Sequence, residues 1–191
     1  MLSTQTLVRV WREKKFNNGR DDTLYASTPP LEALRVVISW AAAKIADGSR
    51  REVMINDVSR AYFNAQSTRD IYIEIPEEDT EKEGDQIGKL NVCLYGTRDA
   101  AKSWQDTLAA HLEKHGFTSG KACPSVFYHK ERQIKTLVHG DDYVSSGYRK
   151  DLIWLQQKLE EYYEIKSQRI GDSAGCTREG RVLNKIGRAH V

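Results

Sequence analysis

Apolar residues recur at helical spacing directly after Pro29-Pro30, at Leu31, Leu34, Ile38, Ala41, Ala42 and Ile45. The proline pair breaks any preceding helix and sets the start of this one, and Gly48 is a natural stop. The spacing therefore predicts a helix whose stripe faces the core. The pattern then changes to a period of two. In "REVMIND", Val53, Ile55 and Asp57 share one face of a predicted strand that ends on an aspartate. "VSRAYFNA" turns the chain, and "DIYIEI" predicts a second strand with Ile71, Ile73 and Ile75 on one side.

"KLNVCLYG" reads as a short strand ending at Gly96. A helix follows, with Asp99 as its N-cap, Trp104, Leu108 and Leu112 along one face, and Gly116 as its stop. "SVFYHK", "IKTLVH" and "YVSSG" predict further strands, the last two joined as a hairpin. A final helix is predicted on Leu152, Leu155, Leu159 and Tyr162. This order is that of an α+β domain, an antiparallel sheet with helices on one face.

Composition bounds the function classes. Hydrophobic residues make up 39% of the chain, mean hydropathy is -0.63, and no apolar run approaches the roughly 18 to 20 residues of a spanning helix. The N-terminus lacks an apolar signal core, so the expectation is a soluble, intracellular protein with no membrane partner. Net charge is only +2, but Arg9, Arg12, Lys14, Lys15 and Arg20 form a basic arm that could hold phosphates, while "EEDTEKEGD" reads as a solvated acidic loop. Cys93, Cys123 and Cys176 are too scattered for a disulfide framework, and His111 and His115 have a zinc-like i, i+4 spacing without an evident third ligand.

The chemistry concentrates in "HGDD". Gly140 lowers the steric cost of a tight bend, so Asp141 and Asp142 are expected at a hairpin tip. Solvated turn aspartates would explain the pair without catalysis. Adjacent like charges repel, however, and a bound divalent cation turns that repulsion into affinity. Magnesium takes a few carboxylates plus substrate phosphates, which calls for a third acid, and Asp57 at a strand end is the best candidate.

The neighbourhoods of these acids carry a family resemblance. "DVSRAYF", Asp57 to Phe63, resembles the Asp-Val-x-x-Ala-aromatic-aromatic motif of reverse transcriptases, and "HGDDYV" resembles their second carboxylate motif. "CLYGTRDAAKSW", Cys93 to Trp104, is similar to the Leu-Tyr-Gly-Leu-Lys-Gln-Ser-Pro-Arg-x-Trp segment of copia-type LTR retrotransposons. "TPPLEALRVVISWAAA", with Arg35 at the matching arginine, "GFTSGKACPSVFYHK" and "YYEIKSQRIG" resemble further segments of that branch, so the likeness covers about residues 7–171.

The resemblance implies a polymerase palm with a ferredoxin-like core over residues 51–171 and partial fingers over 1–50. Residues 172–185 would lead toward a downstream region, and "IGRAHV", 186–191, looks like a translated sequencing adapter. The implied activity is RNA-directed DNA synthesis, with Asp57, Asp141 and Asp142 holding two magnesium ions, manganese being an alternative, and Asp142 more supporting than ligating. Tyr62 matches the aromatic that stacks under the nucleotide sugar and excludes a 2′-hydroxyl. Tyr95 and Gly96 match the nucleotide and template path, Arg12, Lys14 or Lys15 the grip on the triphosphate, and Lys166 a lysine near the closing strand. Implied partners are an RNA or DNA template with its primer, deoxynucleoside triphosphates and the remainder of the polyprotein, with thumb, RNase H, integrase and protease outside this chain. The implied site of action is cytoplasmic or nuclear.

Two segments depart from the branch pattern. His139-Gly140 stands where most copia-type enzymes have Tyr-Val, beside the expected primer end, and "TRDAAKSW" lacks the Lys-Gln-Ser-Pro residues while keeping Trp104. A catalytically silent relic, or a nucleic-acid-binding module with the same fold, is the competing expectation. An unrelated ferredoxin-like domain would follow if Asp57 lay far from the hairpin tip.

Overall fold

The structure, a computed structural model, describes residues 26, 28–75, 87–182 and 185–188, with backbone only at 182 and 185–188. Pro30 occupies the N-cap of helix α1 (Leu31–Ala42), and its carbonyl accepts from Ala33 N at 3.0 Å. The helix ends six residues before Gly48, which instead takes a left-handed φ of 76° in the turn toward the first strand. Its buried residues are Leu34 and Val37, while Leu31 and Ile38 are 38% and 36% exposed. The predicted stripe was thus rotated by part of a turn, because Val37 and Ile38 are equally apolar and spacing alone does not choose between them.

The main sheet has six antiparallel strands in the order β4-β5-β6-β7-β1-β8. These are β1 (Glu52–Val58), β4 (Thr118–Ser119), β5 (Val126–His129), β6 (Ile134–His139), β7 (Asp142–Gly147) and β8 (Ile165–Ile170). Two short strands, β2 (Tyr72–Glu74) and β3 (Ile87–Lys89), form a separate ribbon. Beyond Lys89 the predicted strand "KLNVCLYG" is mostly irregular and runs beside residues 65–71, with Leu90 N donating to Ile71 O at 2.9 Å, Ser67 N to Asn91 O at 3.1 Å, Cys93 N to Ala65 O at 2.9 Å, and a bridge from Val92 to Gln66.

Helices cover both faces of the main sheet, which corrects the expectation of one covered face. Along β1, Met54 and Val58 pack with Trp104, Leu108 and Leu112 of α2 (Ala100–Lys114) and with Leu152, Leu155 and Leu159 of α3 (Arg149–Glu160). Val53 and Ile55 point the other way, into a second core with Leu34 and Val37 of α1, Leu137, Val144 and Ile170. The physical reason is that β1 is apolar at both parities and so must be buried twice.

α2 stops as expected. Gly116, at φ 87°, is C′ of a Schellman motif in which Phe117 N donates to Leu112 O and Gly116 N to Glu113 O. Asp99 holds the N-cap position but makes no side-chain cap bond; its buried carboxylate accepts from Thr68 Oγ1 at 3.2 Å instead. Tyr162 falls after α3 and is exposed, and Tyr163 takes the buried place predicted for it.

A last hairpin, β9 (Glu179–Val182) and β10 (Lys185–Arg188), includes three of the six residues set aside as an adapter remnant. Gly180 of β9 lies directly on the α1 side of the sheet. A Cβ there would collide with Ile170 Cδ1 and stand 2.9 Å from Ile55 Cδ1, so a larger residue would need these isoleucine side-chain ends to shift. Among the described residues no helix is long and apolar enough to cross a membrane.

Candidate active site

Antiparallel pairing places directly opposed residues on the same face of a sheet. Asp57 is the partner of Asp142 across β1 and β7, of Lys166 across β1 and β8, and Asp142 is in turn the partner of His139 on β6. One row across four strands therefore reads Lys166, Asp57, Asp142, His139. Asp57 and Asp142 are half-buried and Asp141 is exposed. Of the two adjacent aspartates, the register sets Asp142, the one expected to be more supporting than ligating, on the face of Asp57.

Gly140 and Asp141 form the two-residue connection between β6 and β7. Gly140 has φ 62° and Asp141 is not among the positive-φ residues, the pattern of signs of a type II′ turn, whose hand matches the twist of the flanking strands. The carbonyl of Asp141 accepts from Val58 N at 3.0 Å, which extends the β1–β7 ladder one step beyond the aspartate pair. Burial first, then the charges of Asp141 and Asp57, hold the Asp142 carboxyl above the usual carboxylate range, and His139 pulls it the other way. Asp142 thus feels the charge of both other acids.

Tyr62 and Tyr95, which are far apart in sequence, meet here with ring centroids 4.4 Å apart, and Phe63 meets Tyr95 edge-on at 5.8 Å. Tyr62 comes from a 3-10 turn, Ala61–Asn64, that follows β1. The Tyr95 hydroxyl is pushed up by burial, then by Asp141 and Tyr62, so it lies within the field of the acidic turn. Gly96 has φ 96° with open space around its α-carbon, in a turn that glycine suits. A cavity of about 180 Å³ opens beside the hairpin tip, bordered by Thr28, Tyr62, Trp104, Gln105, His139 and Gly140.

Arg12, Lys14 and Lys15 lie outside the described residues. Arg35 is on α1 and exposed, and Lys166 is exposed at the end of the row. The His111–His115 pair is an aromatic contact, ring centroids 4.6 Å apart, against Tyr162 and Tyr163. Among the described residues no group of three His, Cys, Asp or Glu side chains is disposed to hold a metal ion in this conformation.

Two residues gave no sequence signal for what they do. Arg60, at φ 53°, is a non-glycine residue in the left-handed region between Asp57 and Tyr62 and reaches Glu164 at 3.4 Å. Trp104, expected on the core face of α2 and in the "CLYGTRDAAKSW" segment, donates its indole N–H to Gly140 O at 2.8 Å.

Residues 16–171 match the family model described as Reverse transcriptase (RNA-dependent DNA polymerase). The chain belongs to the reverse transcriptase family. The match runs from before α1 to the residue after β8, so among the described residues it contains α1, α2 and α3 and the six strands of the main sheet, and leaves β9 and β10 outside. Membership of the reverse transcriptases implies binding of a template nucleic acid and deoxynucleoside triphosphates. The unrelated-domain alternative required Asp57 far from the hairpin tip, whereas the two are ladder neighbours.

Proposed function

We propose that this domain is the palm, over residues 51–171 with a ferredoxin-like core, and part of the fingers, over 1–50, of a copia-type LTR-retrotransposon reverse transcriptase. It extends a primer 3′-hydroxyl along an RNA or DNA template, in the cytoplasm or nucleus, as a segment of a polyprotein. The observation that carries this reading is the direct pairing of Asp57 with Asp142, with Asp141 next to them in the connecting turn. The copia-type assignment is supported by "CLYGTRDAAKSW", since Tyr95 and Trp104 of that segment both reach the site.

Carboxylate oxygens are the donors magnesium takes, and it binds through one or two of them plus substrate phosphates, so a closed three-residue cage is not required. The donor set fits, because Asp142 is raised by burial and then by the charges of Asp141 and Asp57, and a cation relieves that repulsion. Asp57, Asp141 and Asp142 would hold two magnesium ions, or manganese, which when bound would supply activation of the 3′-hydroxyl and charge stabilisation as pyrophosphate leaves. The chain's own residues bind and orient. Tyr62, backed by Tyr95, carries the nucleotide sugar and excludes a 2′-hydroxyl; Tyr95 and Gly96 line the template path; Arg12 and Lys14 grip the triphosphate.

Primer extension on an RNA template, by this chain and by a version carrying downstream residues, tests the reading. Magnesium-dependent incorporation abolished by Asp141→Asn is expected. Incorporation indifferent to Asp141→Asn would sink the metal assignment. Template binding without any incorporation by either version would identify a silent binding module instead.

A further inference from the structure

Trp104 lies outside the carboxylate set, yet it holds the turn that carries two of its members. It is on the α2 face that includes Leu108 and Leu112, 1% exposed, with its ring edge-on to Tyr163 at 5.3 Å. A buried indole needs an acceptor for its N–H. The acceptor here is the carbonyl of Gly140, at 2.8 Å, which belongs to the central peptide of the two-residue turn.

That peptide is the part of a hairpin turn that distinguishes type II′ from type I′. In type I′ both central residues have φ above zero, and in type II′ only the first does. Passing from one to the other flips the Gly140–Asp141 peptide and swings Asp141 into the left-handed region. The hydrogen bond from Trp104 opposes the flip. On the other side of Asp141, its own carbonyl is held by Val58 N at 3.0 Å, one residue after Asp57. The two peptides flanking Asp141 are therefore anchored to different elements, α2 and β1, and the direction of its Cα–Cβ bond is set from both sides. Gly140 itself supplies no packing, since a Cβ there would meet nothing within 4 Å.

We infer that Trp104 is a positioning residue for Asp141, its indole N–H locking the Gly140–Asp141 peptide so that the Asp141 carboxylate is delivered beside Asp57 and Asp142. This rests on the polymerase reading for its catalytic consequence and on the hydrogen bond alone for its structural one. It also assigns the retained tryptophan of "CLYGTRDAAKSW" a task other than filling the core.

The test replaces Trp104 by benzothienylalanine, which keeps the indole shape with sulfur in place of N–H, and separately by Trp104→Phe. 5-Fluorotryptophan, which keeps the N–H, serves as the rescue. Amide hydrogen exchange at Asp141 and Asp142 and Mn²⁺ titration by electron paramagnetic resonance are measured on the 191-residue chain, and kcat and KM on the downstream-extended one. Both N–H-less variants are expected to speed exchange of the two turn amides and raise the Mn²⁺ dissociation constant by about fivefold, the order of one hydrogen bond. The β1–β8 ladder should keep its protection, kcat should fall with little change in KM for nucleotide, and fluorotryptophan should restore wild-type behaviour. Turn amides and Mn²⁺ affinity unchanged in the benzothienyl variant would overturn the inference, as would a uniform loss of protection that includes β1–β8. The exchange measurement needs neither metal nor turnover, so failure of the polymerase reading, seen as no primer extension by wild type, is distinct from failure of this one.

Discussion

Asp57 and Asp142 face each other directly across the β1–β7 ladder, where burial, then the charges of Asp141 and Asp57, keep Asp142 reluctant to ionise. An acid whose folded pKa is raised favours the folded state below its unfolded pKa, and that contribution is lost as pH rises through the folded value. In metal-free buffer, Asp142→Asn should therefore melt above wild type at pH 7, with a gap that closes toward pH 4 and below. Asp57→Asn should lower the Asp142 pKa, read by carboxyl-carbon NMR titration. A wild-type advantage over Asp142→Asn at neutral pH without metal would contradict the raised Asp142 carboxyl.

The second core makes a prediction about α1. Leu34 is 3% exposed beneath the helix, whereas Ile38, in the predicted stripe, is 36% exposed. Leu34→Ala should cost about 2–4 kcal/mol in urea unfolding, the range for a well-buried leucine. Ile38→Ala should cost less, about 1 kcal/mol, because 36% of its surface stays in water on folding. Equal losses would mean that α1 docks by the other stripe.

Why one stripe was misplaced and the aspartate bend was found has a physical answer. The bend is local: a glycine-aspartate pair between two period-two runs needs no distant partner to be recognised. The approach of a strand to Asp57, one residue before β1 ends, is local in the same way. Which residue faces Asp57 is not local, because register is settled by the packing of whole strands, and a slip of one would have set Asp141 there instead. Val53, Met54 and Ile55 in succession carried a sign of two-sided burial, but only their alternation with Asp57 entered the one-face expectation. The Trp104–Gly140 bond was illegible for a different reason: a tryptophan in a helical stripe reads as core, and the destination of its N–H depends on a turn 36 residues away.

Gly140 isolates backbone preference from packing, since a Cβ there has open space. Gly140→Ala should cost about 1–2 kcal/mol from the left-handed φ of an L-residue alone. Urea unfolding measures the loss, and hydrogen exchange at Asp141 and Asp142 shows whether the turn holds or relaxes. No loss of stability would mean that the turn moves to negative φ at no cost, which the anchored peptides argue against.

His111 provides the last prediction, away from the site. It is 8% exposed on α2, and burial, then His115, bring its pKa down to about 4, with Lys114 acting in the same direction and Glu161 opposing. The unfolded chain binds the proton more tightly, so stability is full above about pH 6.5 and drains as pH falls toward 4. The loss should be on the order of 1–2 kcal/mol, reduced from the full shift by water near the ring. His111→Phe keeps a ring against Tyr162 and Tyr163 and removes the titration, so its urea midpoint should change less than that of wild type between pH 6.5 and 4. Parallel acid losses in the two proteins would assign the pH dependence to other groups.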